Sequence, residues 1–187
     1  MILETVLTTI DGAGDVNFAA MGVGWGDEVI TIRPFTDTRT YRNLTAVGEA
    51  VVNVTDNVSI IARCALSEEQ FEVVPAQNVR GFVLKETCYW REVVVKEIGP
   101  RGEPGVNRRV PIVTRVVGGG EVRQFRGLCR AKHAVIEASI LASRLHLLPV
   151  EAVLSEVEKL SVLVKKTGGR EEREAMEFIR AYIASKT

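Results

Sequence analysis

Short runs of apolar and β-branched residues, separated by glycine-rich turns, make up the first part of the chain. Residues 3–10 and 16–25 are two such runs, and the DGAGD sequence between them is a strong hairpin signal. A third run covers residues 29–35, and Pro34 ends its ladder because proline has no backbone N–H to donate. The pattern predicts an antiparallel meander of three strands.

The hydrophobic period changes after this meander. Apolar residues recur at three-residue steps over residues 38–47, which predicts a helix that ends at Gly48. Residues 49–55 return to a strand pattern, and a short helix is predicted over residues 58–66. The chain therefore alternates between the two kinds of element before its midpoint.

The sequence pattern predicts β-structure again in the middle of the chain, from residue 71 onward. A brief strand is predicted over residues 71–75, and residues 80–98 form either one bent strand or two. Residues 98–109 are rich in glycine and proline, which predicts a loop. The sequence GGGE at residues 118–121 indicates a hairpin that joins one strand on either side of it.

From residue 131 onward, apolar positions follow helical spacing. Pro149 begins a second helix, and the glycines at 168–169 precede a third. The elements together predict an α+β fold that is mainly β. We expect a β-rich domain over residues 1–130 and a helical C-terminal part over residues 131–187.

Composition narrows the functional classes. The 187 residues include 24 basic and 24 acidic side chains, so no overall field favours nucleic acid or a membrane surface. No apolar stretch is long enough for a transmembrane helix, and the first residues lack the basic region of a signal peptide and a small-residue cleavage site after an apolar stretch. We expect a cytoplasmic protein that binds neither nucleic acid nor membranes.

The cysteines also limit the chemistry. Cys64, Cys88 and Cys129 are odd in number and far apart, which favours buried, reduced thiols over a disulfide framework. No His, Cys, Asp or Glu cluster has the spacing of metal ligands, so no metal site is expected.

Residues 32–44, with the sequence IRPFTDTRTYRNL, carry the strongest candidate chemistry. They place Arg33, Arg39 and Arg42 among threonines at a strand-to-helix transition. Unpaired N–H groups at a helix start, guanidinium groups and hydroxyls together suit a phosphate. The alternative is that the threonines cap the helix and the arginines lie on its solvated face.

Two motifs follow the strand and its Thr/Arg-rich segment: T-Y-R-N at 40–43 and G-E-A-V-V-N at 48–53. Their order resembles the FMN-binding split-barrel superfamily, of the flavin-reductase kind. The opening ETVLTTIDGAGDVNFAAMGV and the later RAKHAVIEA at 130–138 are similar, more closely, to an archaeal family of flavin-containing proteins, the domain-of-unknown-function family numbered 447.

The resemblance implies a split β-barrel with a helical C-terminal extension, which binds FMN at the interface of a homodimer. The segment after the third strand would bind the phosphate, and the backbone of the second strand would line the flavin ring. The expected FMN-binding residues are Met21, Gly22, Arg33, Thr36, Thr38, Arg39, Thr40 and Asn53. Trp25, at the end of the second strand, is a further candidate to flank the ring.

The function expected from this resemblance is that of a flavoprotein, an oxidoreductase whose small-molecule substrate and electron donor are not identified. The Gly-Asp-His signature of many flavin reductases is absent, so the resemblance does not extend to nicotinamide-dependent reduction. No side chain is assigned as catalytic, and we interpret His133, one helical turn before Glu137, as structural.

Two alternatives remain open. One is a flavin-binding or carrier protein without turnover. The other is a phosphate- or polyanion-binding β-barrel that holds no flavin, favoured by the seven arginines between residues 99 and 130.

Overall fold

The computed structural model describes residues 1–100 and 109–186, in which eight strands and five helices are assigned. The strands are β1 (Ile2–Ile10), β2 (Val16–Gly24), β3 (Val29–Ile32), β4 (Glu49–Val54), β5 (Val73–Pro75), β6 (Phe82–Leu84), β7 (Tyr89–Ile98) and β8 (Ile112–Glu121). The helices are α1 (Arg39–Ala46), α2 (Val58–Leu66), α3 (Arg130–Ser143), α4 (Val150–Thr167) and α5 (Arg170–Ala184). Most of the loop predicted over residues 98–109, with Arg101 and Arg108, lies outside the described residues.

Six strands close into an antiparallel barrel in the order β1–β2–β3–β8–β7–β4. The predicted β1–β2 hairpin is confirmed, and its turn is held by Asp11, whose carboxylate accepts from the amides of Ala13 and Asp15 at 2.9 and 3.0 Å. Gly14 in this turn has φ of 94°, a conformation that favours glycine. The predicted α+β fold, mainly β with C-terminal helices, is confirmed.

The barrel interior holds the hydrophobic core of this part of the chain. Alternate residues of each strand face inward, and the buried side chains from the strands include Leu7, Val23, Ile30, Ile32, Ala50, Val52, Val93 and Ile112. Tyr41 and Leu44 of α1 join the same cluster, because three-residue spacing puts both on one helical face. Helix α1 is therefore fixed against the barrel at the point where β3 ends, and this packing positions the residues discussed below.

The hairpin predicted at GGGE is wrong. Strand β8 continues through residues 118–120, paired with β7, with Gly118 opposite Glu92 and Gly120 opposite Trp90. A Cβ atom on Gly120 would overlap the Trp90 ring, and one on Gly118 would overlap the amide of Asn78. These glycines serve close packing against neighbouring side chains rather than a turn.

Residues 80–98 form two strands, the second of the two predicted arrangements. The shorter one, β6, pairs with β5 in a separate two-stranded sheet. The hydroxyl of Thr8 on β1 donates to the carbonyl of Phe82 over 2.6 Å, which ties this small sheet to the barrel.

The chain divides into two compact units, Met1–Thr55 with Gln70–Gln124 and Asp56–Glu69 with Phe125–Thr187. The second unit contains α2 together with the three predicted C-terminal helices, all of which are present. The sequence pattern predicts a domain boundary at residue 130. In the structure, α2 belongs to the same compact unit as α3–α5, although it precedes that boundary in the chain.

A lysine ties three of these helices together. Lys132 on α3 donates to the carbonyl of Asp56, just before α2, and forms an ion pair with Glu172 on α5 at 3.2 Å. Burial by itself would raise the pKa of Glu172, but the amide of Gly169 and Lys132 both donate to its carboxylate, and the net pKa lies below its usual range. The RAKHAVIEA motif thus contributes a structural ion pair.

Two further findings concern the described residues. All three cysteines are free; Cys88 is buried, whereas Cys64 and Cys129 are half-buried. Burial raises the pKa of the Cys64 thiol to about 12, so this thiol is protonated at neutral pH. None of the helices within residues 1–100 and 109–186 is long and apolar enough to cross a membrane.

Candidate functional site

The segment between β3 and α1 is held at both ends by backbone contacts. The amide of Val110 donates to the carbonyl of Pro34 over 3.1 Å, and Phe35 forms a β-bridge with Arg109. Thr38 is the N-cap of α1, because its hydroxyl accepts from the amide of Tyr41 at 3.2 Å and donates to the carbonyl of Phe35 at 2.7 Å. The alternative interpretation, that threonines cap this helix, therefore holds for Thr38.

Two arginines of the segment are unpaired. Arg33 is exposed and Arg39 is half-buried, and neither has a hydrogen-bond or ion-pair partner within residues 1–100 and 109–186. The half-buried hydroxyl of Thr36 likewise bonds to none of the described residues. Arg42 differs, since its guanidinium donates to the carbonyl of Asp37 at 3.0 Å. Two cationic groups and one hydroxyl of this short segment are therefore free to bind an anion.

Thr40 faces the protein interior. The residue is only 3% exposed, and its hydroxyl accepts from the side-chain amide of Asn17 at 3.2 Å. The same amide lies 3.4 Å from the hydroxyl of Thr9, which also accepts from Asn43 at 3.1 Å. The T-Y-R-N motif therefore ties the first turn of α1 to the β1–β2 hairpin through a buried polar network.

A groove of about 420 Å³ lies beside the start of α1. Its lining comes from the β1–β2 turn and the start of β2, from α1, from the β5–β6 sheet and from the segment before β5: Gly14, Asp15, Val16, Arg39, Gln70, Val73 and Phe82. The apolar side chains of Val16, Val73 and Phe82 can face the flat part of a ligand, and the unpaired guanidinium of Arg39 can face an anionic group, with the Asp15 carboxylate in the same lining.

Met21 and Gly22 lie side by side on β2 but differ in environment. The side chain of Met21 packs against the barrel core, and its carbonyl accepts from the hydroxyl of Thr5 at 2.8 Å. Gly22 faces the outside, where the side-chain ends of Ile2 and Glu4 approach the position of a Cβ atom to 3.0 and 3.1 Å. The atoms nearest to this Cβ position therefore belong to two side chains and not to backbone.

Asn53 is fully buried on β4. Its amide nitrogen donates to the carbonyl of Val6 at 3.0 Å and to the hydroxyl of Thr8 at 3.2 Å, and its oxygen accepts from the amide of Leu84 at 2.9 Å. These bonds join β4 to β1 and β6. The structure therefore places Arg33, Thr36, Thr38 and Arg39 on one segment, whereas Thr40 and Asn53 use their polar groups inside the protein.

A buried carboxylate that the sequence analysis overlooked lies on β7. Glu92 is 1% exposed and accepts from the amides of Gln77 and Asn78 at 3.0 and 2.5 Å and from the indole of Trp90 at 3.3 Å. Burial alone would raise the pKa of Glu92, but these donors outweigh it and the net pKa is lowered. In the sequence, Glu92 is followed directly by three valines of a predicted strand, and this position could have indicated a buried carboxylate.

The two histidines lie on the surface of the described structure. His133 and His146 are both exposed, on α3 and just beyond it. Among residues 1–100 and 109–186, no three His, Cys, Asp or Glu side chains are grouped so as to hold a metal ion.

Family comparisons cover most of the chain. The model described as "Protein of unknown function (DUF447) N-terminal domain" matches residues 3–117, and the model described as "Protein of unknown function (DUF447)" matches residues 129–181. The chain is also similar to the crystal structure of an FMN-bound DUF447 protein from Methanosarcina mazei. The two share 23% identity with a TM-score of 0.82, over 97% of this chain and 94% of that chain.

More distant solved structures share part of the fold. The styrene monooxygenase flavin reductase of Pseudomonas putida is 15% identical with a TM-score of 0.54, over 66% of this chain and 83% of that chain. The flavoredoxin of Desulfovibrio vulgaris is 12% identical with a TM-score of 0.54, over 65% of this chain and 70% of that chain. At these identities the likeness concerns the fold alone. The predicted split β-barrel with a helical C-terminal extension is confirmed.

Proposed function

We propose that this chain, which belongs to the DUF447 family, is a flavoprotein that binds FMN and acts as an oxidoreductase. The observation that carries this proposal is the unpaired guanidinium of Arg39, at the start of a helix and in the lining of a groove, with a second unpaired guanidinium, that of Arg33, on the same segment. The FMN-bound family relative supports the choice of cofactor.

The donors at this segment fit a phosphate dianion. Arg33 and Arg39 supply charge, and Thr36 supplies a hydroxyl that bonds to no described residue. The first amides of a helix have no intrahelical acceptor, and those of Arg39 and Thr40 bond to no other group in the described part of the chain. We assign the phosphate to these groups.

The remaining expected residues act on this site in different ways. The backbone of Met21 and Gly22 is proposed to line the flavin ring, since side-chain atoms and not backbone lie nearest to the Cβ position of Gly22. Thr38 and Thr40 set the position of the helix start through the cap and the bond from Asn17. Asn53 is proposed to support the site by holding β4 in register with its neighbours.

FMN, when bound, supplies hydride or electron transfer, and the chain supplies binding, orientation and electrostatics. The cations at the 33–40 segment would hold the phosphate end and so fix where the ring lies. The absence of the Gly-Asp-His signature keeps a nicotinamide donor outside the proposal.

A homodimer is part of the proposal. On the outer face of β1–β3, Ile2 and Val29 are 68% and 47% exposed, next to the small residues Gly22 and Gly24. An exposed apolar strip on barrel strands is suited to be covered by a second copy of the chain.

A cytoplasmic location, without nucleic-acid or membrane partners, stays a prediction.

The absorption spectrum of the purified protein, before and after addition of FMN, tests the proposed cofactor. We expect a bound flavin band that remains after removal of free FMN on a desalting column. A colourless protein that retains no added FMN would instead favour a phosphate- or polyanion-binding barrel. A bound flavin that no reductant bleaches under anaerobic conditions would favour a carrier without turnover.

A further inference from the structure

A second cluster of polar and aromatic groups lies around Trp25. Trp25 precedes β3, and its ring packs edge-to-face on that of Tyr89 with centroids 5.8 Å apart. The guanidinium carbon of Arg91 lies 5.8 Å from the centroid of each ring. An open depression of about 510 Å³ is lined by these three residues with Gly120 and Glu121.

The side chain of Arg91 leaves its strand on the inner side of the barrel. The strand register places it opposite Val52, a residue of the barrel core, and its side chain is half-buried. One guanidinium nitrogen donates to the carbonyl of Trp90 at 3.0 Å. No carboxylate lies within ion-pair distance of Arg91 among the described residues. A half-buried guanidinium with several unused donors, next to two aromatic rings, is suited to receive an anion.

Two consecutive glycines of β8, Gly119 and Gly120, lie at the depression. Gly120 lines it, and a Cβ atom at this position would overlap the Trp90 ring behind the strand. At Gly119 a Cβ atom would lie 3.1 Å from the Cδ and Nη1 atoms of Arg91 and 2.5 Å from the carbonyl of Trp90. Gly119 therefore leaves room for the Arg91 side chain, whereas Gly120 leaves room for the Trp90 ring on the other face of the strand.

The charge balance of the depression selects among anions. Arg91 supplies one positive charge, and Glu121, exposed in the same lining, supplies one negative charge. A phosphate dianion would meet one cation and one repelling carboxylate. A monoanionic carboxylate matches the planar fork of a single arginine, and an attached ring finds aromatic surface on Trp25 and Tyr89.

We propose that this depression binds a planar aromatic carboxylate, at a site separate from the one assigned to FMN. Gly24 pairs with Thr31 in the β2–β3 register, so Trp25 lies beside Ile30, three residues from Arg33, which corresponds to about 10 Å along the strand. The proposal goes beyond the proposed function, because it needs no flavin for binding. If both proposals hold, the site supplies a place for a small aromatic substrate.

Calorimetric titration of the purified full chain with naphthoate and with naphthamide, its neutral amide, tests the site. We expect naphthoate to bind at least about tenfold more tightly than naphthamide, because only the carboxylate forms charge-assisted bonds with Arg91. Equal affinities, or no binding of naphthoate at millimolar concentration, would overturn the proposal.

Variants assign the binding to the lining residues. Arg91→Met should weaken naphthoate binding about tenfold or more and remove the preference over naphthamide. Arg115→Ala, which removes an exposed arginine of β8, should leave both affinities unchanged. Glu121→Gln alters only an exposed side chain and so leaves the fold intact. It should tighten naphthoate binding several-fold without changing that of naphthamide, and an unchanged or weaker naphthoate affinity would contradict the charge argument.

The same titration on FMN-loaded protein separates the two proposals. Naphthoate should bind without releasing FMN, measured as free-flavin fluorescence. Release of FMN in proportion to naphthoate binding would show one shared site and overturn the separate site. A protein that binds naphthoate but no FMN would refute only the proposed cofactor.

Discussion

The side-chain amide of Asn17 on β2 donates to the hydroxyl of Thr40 on α1 over 3.2 Å. This bond joins the strand proposed to line the flavin ring to the helix start proposed to bind its phosphate. Both residues are at least partly buried, so the bond forms in a low-dielectric environment where a lost partner is costly. The position of Arg39, the residue before Thr40, depends on it.

Thr40→Val should lower the free energy of unfolding by about 1–3 kcal/mol, because the substitution keeps the shape but leaves the Asn17 donor without this acceptor. Urea unfolding followed by far-UV circular dichroism measures the change. Thr45→Val on the exposed face of the same helix is the matched control, with an expected change within about 0.5 kcal/mol. Equal changes in the free energy of unfolding at the two positions would show that the bond between Asn17 and Thr40 does not stabilise the fold.

Arg39→Ala should weaken FMN binding by about 1.5–3 kcal/mol, roughly 10–150-fold, because a charge-assisted bond to the phosphate is lost. Quenching of FMN fluorescence on binding gives the dissociation constant. Arg42→Ala is the control, since Arg42 lies three residues along α1 and its guanidinium is already bonded to the Asp37 carbonyl. An equal loss in both variants would indicate a general electrostatic effect rather than a phosphate contact.

Gly120→Ala should destabilise the protein by about 1–3 kcal/mol, because the new methyl group overlaps the Trp90 ring and forces it to move. Thermal or urea unfolding measures this cost. Gly12→Ala in the β1–β2 turn meets no atom within 4 Å and should be close to neutral. A neutral Gly120→Ala would argue that residues 118–121 form a turn after all.

Glu92 predicts a pH-dependent stability. Its pKa is lowered in the folded protein, so its contribution is present above the ordinary glutamate pKa of about 4.3 and is lost as pH falls through the lower folded value. Glu92→Gln should cost about 1–3 kcal/mol at neutral pH, because an amide cannot accept from all three donors. The difference from wild type should shrink below about pH 4 in urea unfolding; a constant difference would contradict this assignment.

Much of the fold could be predicted from local sequence patterns. The β1–β2 hairpin follows from turn chemistry in DGAGD, and α1 follows from the spacing of Tyr41 and Leu44. Residues 118–121 show the limit of such patterns. Glycine serves both tight turns and close packing, and the choice depended on Trp90, which the strand pairing brings opposite Gly120.

The candidate site could be predicted only in part. The residue types of the 33–40 segment indicated an anion site, and Arg39 does line a groove. The direction in which a polar side chain faces depends on distant partners, such as Asn17 for Thr40 and Leu84 for Asn53. The pairing of Trp25 with Tyr89 and Arg91 likewise joins segments far apart in the chain, so no local motif indicates it.

Comparison of FMN with riboflavin, which lacks the phosphate, tests the central claim most directly. Equilibrium titrations of both flavins against wild type and Arg39→Ala isolate the contribution of the phosphate to binding. We expect wild type to bind FMN at least about tenfold more tightly than riboflavin, and Arg39→Ala to lose most of that preference. Equal binding of the two flavins by wild type would contradict a phosphate site between β3 and α1.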